Sequence, residues 1–225
     1  MFRNREHAGR LLGRELRTWE LHDPVVLGIP RGGVAVAAAL ASEIQAEMDV
    51  LLSRKLRAPD QPELAIGAID EHGRVMLLPY ADALCEAEAG YLEHEIAFQE
   101  AEIERRRRMY RAIRGPASLA DRSVVVTDDG IATGSTMEAA LRSLGRTPRE
   151  IILAVPVATI EALQRLARHC DDSLCLHTPP RFRTVGEYYE EFDQVDDEEA
   201  CRLLRQAASV SASPLQETSH GTHSP

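Results

Sequence analysis

Short apolar runs recur along the chain at Val25–Ile29, Val50–Ser53, Val124–Thr127, Ile151–Val157 and Leu174–His177. They are nearly uninterrupted rather than alternating, the pattern of strands buried on both faces. Stretches of helical character lie between several of them, at Val34–Gln45, Thr136–Leu144 and Thr159–His169. Strand and helix in alternation predict an α/β fold, a mainly parallel sheet with helices on both faces. Right-handed crossovers then gather the C-terminal ends of the strands on one edge, where such folds bind ligands.

Two segments exceed this minimal pattern. Leu64–Asp70 and Val75–Leu78, joined by Glu71-His72-Gly73-Arg74, predict a β-hairpin with a Gly-containing turn. Asp82–Ile113 predicts one long helix, acidic at its start and Arg-rich at Arg105–Arg108, ended by Gly115 and Pro116. That charge order suits the helix dipole, so a solvated structural helix accounts for the charge run. Residues 64–115 are therefore expected to be an inserted hood or loop region within a single domain of residues 1–208. Ser209–Pro225, rich in Ser, Thr, His and Pro, is expected to be a disordered tail.

Composition narrows the class. With 4% aromatic residues in 225, the core has to be built from Ala, Val, Leu and Ile. No apolar run is long enough to span a membrane, since Glu43, Gln45 and Glu47 close off Val34–Ala41. The first residues lack a signal-peptide core, so a cytoplasmic protein without a membrane partner is expected. Cys85, Cys170, Cys175 and Cys201 show no paired CxxC spacing and read as free or buried thiols rather than as a zinc site. A net charge of −10 argues against a general nucleic-acid binder. A phosphorylated ligand stays open, because a local group of Arg and backbone N–H donors holds an anion even within an acidic protein.

The densest chemistry lies at Val124–Thr136, VVVTDDGIATGST. A buried strand would deliver Asp128-Asp129-Gly130 to the sheet edge, and Ala132-Thr133-Gly134-Ser135-Thr136 would open the next helix. A phosphate needs converging N–H donors, which a Gly-containing loop at a helix N-terminus supplies. Gly134 permits close backbone approach, and Thr133, Ser135 and Thr136 add hydroxyl donors. Asp128 and Asp129, one short loop away, suit two vicinal ribose hydroxyls and can help place a hydrated magnesium ion without ligating it directly. The plainer alternative is an acidic strand end followed by a helix capped by Ser135 or Thr136. The run lacks the Gly-Lys-Ser/Thr ending of a nucleoside-triphosphate P-loop and the glycine spacing of a dinucleotide fingerprint.

This segment resembles the signature of the type I phosphoribosyltransferases, an apolar strand, two acids, a spacer, then Thr-Gly-x-Thr. The resemblance implies a type I phosphoribosyltransferase-like fold, with the 5′-phosphate on Ala132–Thr136 and the ribose hydroxyls on Asp128 and Asp129 as the catalytic acids. The segment Gly28-Ile29-Pro30-Arg31-Gly32-Gly33 also admits an anion, through its glycines and Arg31. It is similar in place to the family's pyrophosphate loop, which implies that role for Arg31, Gly32 and Gly33. Ser53-Arg54-Lys55, read as the end of the second strand, resembles the family's Arg-Lys pair; Arg54 and Lys55 would add charge against pyrophosphate. A closing loop is expected after it, beginning at Leu56–Pro62, or else Arg105–Arg108 and Arg111 would supply the covering charge.

The acceptor is read more faintly. Phe182-Arg183-Thr184-Val185-Gly186-Glu187-Tyr188-Tyr189 resembles the base-stacking segment of the 6-oxopurine enzymes, with a different spacing, so Phe182 and Tyr188 are the candidate base-binding rings. Packing of that segment against a helix at Asp196–Ala208 is the structural alternative, and Phe2–Glu15 is a second candidate for the acceptor site. The resemblance implies a magnesium-dependent phosphoribosyltransferase. It would move the 5-phosphoribosyl group of phosphoribosyl pyrophosphate to a small nitrogen-containing acceptor such as a nucleobase, as in nucleotide salvage, with self-association left open. Two other classes remain: a non-catalytic regulator that senses phosphoribosyl pyrophosphate or a nucleotide on the same fold, and a sugar-phosphate hydrolase or mutase, for which no nucleophile or tight acidic cluster is found.

Overall fold

The computed structural model describes residues 1–62, 64–85 and 90–211. Its elements in chain order are α1 (Arg5–Leu16), β1 (Val25–Gly28), α2 (Gly32–Ile44), β2 (Glu47–Val50), β3 (Ser53–Arg57), β4 (Ala65–Asp70), β5 (Val75–Leu77), α3 (Ala81–Cys85), α4 (Tyr91–Arg111), β6 (Ser123–Thr127), α5 (Ser135–Leu144), β7 (Glu150–Val157), α6 (Ile160–Leu166), β8 (Asp172–His177) and α7 (Asp197–Ser211). A five-stranded sheet in the order β2-β1-β6-β7-β8 forms the centre. Every pairing in it is parallel, with Gly28 level with Val50 on one side and Thr127 on the other.

The uninterrupted strand runs follow from burial on both faces. Val26, Val125, Ile152 and Ala154 point into a core with Leu12 and Leu16 of α1, Val36 and Leu40 of α2, and Ala200 and Leu204 of α7. Their neighbours Val25, Leu27, Val124, Val126, Leu153 and Val155 point the other way, to Met137, Leu141 and Leu144 of α5 and Leu166 of α6. The N-terminal helix α1 went unread in the sequence because its stretch is dense in arginine. It packs tightly on α2, where a Cβ on Gly9 would lie 2.4 Å from the Val36 carbonyl oxygen.

A second, antiparallel sheet of order β3-β4-β5 stands beside the first. It backs onto α3 and α4 through Leu56, Ile66, Ile69, Ala81 and Ile103. The apolar run Val50–Ser53 is thus no single strand. Val50 ends β2 in the parallel sheet, and Ser53 begins β3 in the antiparallel one. The polar residues Glu47 and Asp49 disguised β2: Asp49 is buried, and its carboxylate is satisfied by Arg111 at 2.8 Å and by the Ala117 N–H at 2.9 Å. Ser53, Arg54 and Lys55 therefore start a strand rather than end one, and the added unit begins before residue 64. The expected hairpin is present, pairing Gly67 with Leu77 and Ile69 with Val75.

The helix expected over Asp82–Ile113 is interrupted. α3 is described over Ala81–Cys85, and α4 starts after Gly90, whose φ of 82° lies in the left-handed region open to glycine. At the other end α7 continues to Ser211, past the expected boundary at 208, and the rest of the expected tail lies outside the described residues. Among the described residues no helix is long and apolar enough to cross a membrane.

Candidate functional site

All five parallel strands point their C-terminal ends to one edge, and the predicted loops meet there. Asp128 and Asp129 leave β6 directly against the start of α2. A Cβ on Gly32 would fall 2.0 Å from the Asp129 carboxylate, and one on Gly33 would fall 2.8 Å from the Thr127 carbonyl. The sequence explained these glycines by approach to an anion; in the fold they first make room for the acid loop. The Pro30–Arg31 peptide between them and β1 is cis.

The two acids are set deep and largely neutralised from within. The Asp129 N–H donates to the Asp128 carboxylate at 2.8 Å. Burial, then the charge of Asp129, holds the Asp128 carboxyl well above the ordinary carboxylate range. Burial also raises Asp129, against the opposing pull of Arg5. The Arg5 Nε donates to Asp129 at 2.8 Å, and both side chains are mostly shielded. A second Arg5 nitrogen donates to the Asp193 carbonyl at 2.7 Å, and the guanidinium lies 3.8 Å from the centre of the Phe192 ring. Tyr189 stacks on Phe192 and donates its hydroxyl to the Asp129 carbonyl at 2.6 Å. Sequence reasoning missed Arg5 in this role: its contact spans 124 positions, and nothing sets Arg5 apart from its neighbouring arginines.

The loop 131–136 has the form of an open helix start. Gly134 occupies the N-cap position of α5 with φ 75°, and no side chain caps the helix. Neither Ser135 nor Thr136 is the cap, so the first N–H groups of α5 have no side-chain partner. The loop is braced from behind. Thr159 donates to the Ala132 carbonyl at 2.9 Å, and Arg165 donates to the Thr133 carbonyl while pairing with Glu138 at 3.2 Å. The Thr133 and Ser135 hydroxyls lie 3.3 Å apart at the surface.

A cavity of about 160 Å³ connects these loops to the added unit, with Pro30, Ser53, Arg54, Lys55, Arg106 and Thr136 among its lining. It is smaller than the roughly 300–1,000 Å³ of pockets that enclose a drug-sized ligand. Arg54 donates through Nε to the buried Gln99 at 2.7 Å, and Gln99 in turn donates to Glu95 at 2.8 Å. Of the arginines expected to cover the site, Arg105 pairs with Asp197, Arg107 and Arg108 with Glu104, and Arg111 with Asp49 and Glu71. Within that group, Arg106 is the one that lines the cavity. The segment expected to begin a closing loop is instead partly strand: Leu56 is a core residue and Arg57 is tied to Glu95 at 2.8 Å.

A chain with this fold and these loops invites comparison with known proteins, and a family description decides the matter. Residues 3–189 match the phosphoribosyl transferase domain. The chain belongs to the phosphoribosyl transferase family. A provisionally named phosphoribosyl transferase of Mycobacterium tuberculosis is 38% identical over 208 residues, 92% of this chain. The chain spans about half the length of the curated relatives it matches, 47% of that protein. The crystal structure of the protein TT1426 from Thermus thermophilus is 44% identical, covers 91% of this chain and 98% of its own, and superposes with a TM-score of 0.84.

Within this phosphoribosyl transferase fold, Phe182 and Tyr188 stand apart from the cavity. Their rings lie 5.3 Å apart, and Tyr188 also faces His177 at 5.5 Å. Both pack against the buried cluster of Phe2, Ala8, Val157 and Tyr189, so the segment rests on the N-terminal region rather than on the helix after Asp196. Cys170, Cys175 and Cys201 are free thiols.

Proposed function

We propose that this chain transfers the 5-phosphoribosyl group of phosphoribosyl pyrophosphate to a small nitrogen-containing acceptor of the nucleobase class, releasing pyrophosphate. The observation that carries the reading is the uncapped N-terminus of α5, beside a half-buried acid pair and across from a cationic cavity. One ligand with a phosphate, a diol and a second anionic group answers all three features.

Each segment then has a duty. Backbone N–H groups at Ala132–Thr136, with the Thr133, Ser135 and Thr136 hydroxyls, take the 5′-phosphate. Asp128 and Asp129 accept hydrogen bonds from the ribose hydroxyls, which compete with Arg5 for Asp129. Arg31, Gly32, Gly33, Arg54 and Lys55 face the pyrophosphate. In the reaction the C1–O bond breaks with its electron pair passing to pyrophosphate. The acceptor nitrogen forms the new C1–N bond, and its proton passes to solvent. The protein's part is to orient both partners, exclude water and stabilise the departing charge. A planar acceptor would stack on the Phe182–Tyr188 group.

Magnesium fits the acid pair by the chemistry of its donors. Two hard carboxylates, both raised by burial and Asp128 further by the charge of Asp129, gain from a nearby divalent cation. Among the described residues no group of three or more His, Cys, Asp and Glu side chains could hold a metal ion. Asp128 and Asp129 would therefore hold it through water, with ligand oxygens completing its sphere. When bound, it supplies neutralisation between the pyrophosphate and the ribose hydroxyls.

The test follows pyrophosphate release from phosphoribosyl pyrophosphate and magnesium against a panel of bases. Base-dependent release that falls at least about a hundredfold in the Asp128→Asn, Asp129→Asn double variant is expected. Binding without turnover across the whole panel would make the chain a sensor and not a transferase.

A further inference from the structure

The basic wall of the cavity holds more charge than its surroundings neutralise. Arg57, Arg105, Arg107, Arg108 and Arg111 each have a carboxylate within an ion pair. Among the described residues Arg54 and Arg106 have none. Arg54 rests on the neutral Gln99, and the Arg106 Nε is buried with no hydrogen-bond partner. The Ser53 hydroxyl, on the same cavity wall, is likewise buried and unpartnered.

The two guanidinium groups also repel. Burial, then the charge of Arg106, pushes Arg54 below its ordinary value, while Glu102 and Glu95 act in the other direction. Glu95 is already engaged by Arg57 and Gln99, and Glu102 lies toward Arg105 at 3.7 Å. A buried donor left unpaired is costly, more so when charged, so native proteins rarely keep one without a purpose. Here a donor from α4, a donor from β3 and a hydroxyl from the head of β3 converge on one small cavity. A solvated basic surface would not bury these atoms.

We propose that Arg106 and the Ser53 hydroxyl, together with Arg54, form a diphosphate clamp that the added sheet and its long helix contribute to the site. The inference rests on the transfer reading and extends it: Arg106 is a ligand-binding residue for the departing group, outside the loops that the family signature covers. Its forked donors span neighbouring phosphoryl oxygens, as a guanidinium does with two acceptor atoms at once. The clamp prefers a diphosphate to a monophosphate, because two facing cations are satisfied only by an anion that reaches both. It also couples the added unit to the ligand, since α4 and β3 are held together at this point through Gln99.

Calorimetric titration of the full chain with inorganic pyrophosphate, inorganic phosphate and ribose 5-phosphate tests this. Arg106→Gln should weaken pyrophosphate binding by about tenfold or more, the worth of a charge-assisted contact. It should leave ribose 5-phosphate within about twofold and leave the melting temperature of the free protein unchanged or raised, because a repulsion and an unpaired donor are removed. Arg106→Lys should fall between the two, and Ser53→Ala should weaken pyrophosphate by a smaller factor. The proposal is overturned if Arg106→Gln binds pyrophosphate within about twofold of the parent, or if it loses both ligands equally with a lower melting temperature. Failure of the parent chain to bind pyrophosphate also overturns it. Pyrophosphate binding that depends on Arg106, in a chain that turns over no acceptor, would remove the transfer reading and leave the clamp standing.

Discussion

The two walls of the site carry opposite charges and handle them in opposite ways. On the parallel sheet, Asp128 and Asp129 are answered from inside the protein by Arg5, by the raised Asp128 carboxyl, and by the close packing of Gly32 and Gly33. On the antiparallel unit, Arg54 and Arg106 form no ion pair among the described residues, and the Arg106 Nε and Ser53 hydroxyl stay buried and unpaired. The acid wall is therefore close to self-sufficient without ligand, whereas the basic wall is incomplete. A chain with ten excess negative charges has acidic residues to spare for Arg54 and Arg106, so their isolation is a property of the site and not of composition. On the proposed function, the ligand would supply the anion that the basic wall lacks and displace Arg5 from the acid wall.

The sharpest way to break the comparison is to unseat the acid wall. Gly32→Ala places a Cβ 2.0 Å from the Asp129 carboxylate. We expect pyrophosphate-releasing turnover to fall by about tenfold to a hundredfold, and stability to fall by about 1–3 kcal/mol in urea unfolding. Unchanged turnover would show that the packing of these loops is irrelevant to the site.

A smaller effect sharpens the claim that the acids are neutralised internally. The folded state holds the Asp128 proton more tightly than the unfolded chain, whose ordinary value is 3.8. Its contribution to stability is complete below that value and is lost as pH rises through the raised folded value. Asp128→Asn should therefore melt higher than the parent at slightly alkaline pH, with the gap closing as pH falls toward the ordinary carboxylate range. A gap that widens on acidification would reverse the assigned shift. The smallest effect lies outside both walls: Phe182→Leu should leave the affinity for phosphoribosyl pyrophosphate within about twofold and raise KM for the acceptor alone.

Legibility in the sequence followed the physics of each region. The parallel sheet could be read because strands buried on both faces leave unbroken apolar runs, and the open start of α5 because Gly134 and its hydroxyl neighbours mark the motif. β2 was disguised because Asp49, a buried acid, interrupts its pattern, its compensating Arg111 being 62 positions away. Arg5 and Arg106 could not be singled out for a related reason. Each sits among other arginines, and only the fold decides which one turns inward. In the run Arg105–Arg108, helical geometry sends one guanidinium to the cavity and leaves the rest to ion pairs on the surface. The glycines at 32 and 33 lie at the expected sheet edge, but their packing against the acid loop was not read, since steric demand from a loop nearly a hundred positions later has no local signature.

The central claim is that one ligand bridges two opposed anion sites. It is tested most directly by titrating phosphoribosyl pyrophosphate, ribose 5-phosphate and inorganic pyrophosphate, with magnesium, into the same protein. The account predicts that ribose 5-phosphate and pyrophosphate bind together without displacing one another, and that phosphoribosyl pyrophosphate binds at least about a hundredfold more tightly than either fragment. Mutual displacement of the two fragments, with no gain in affinity for the joined ligand, would contradict it.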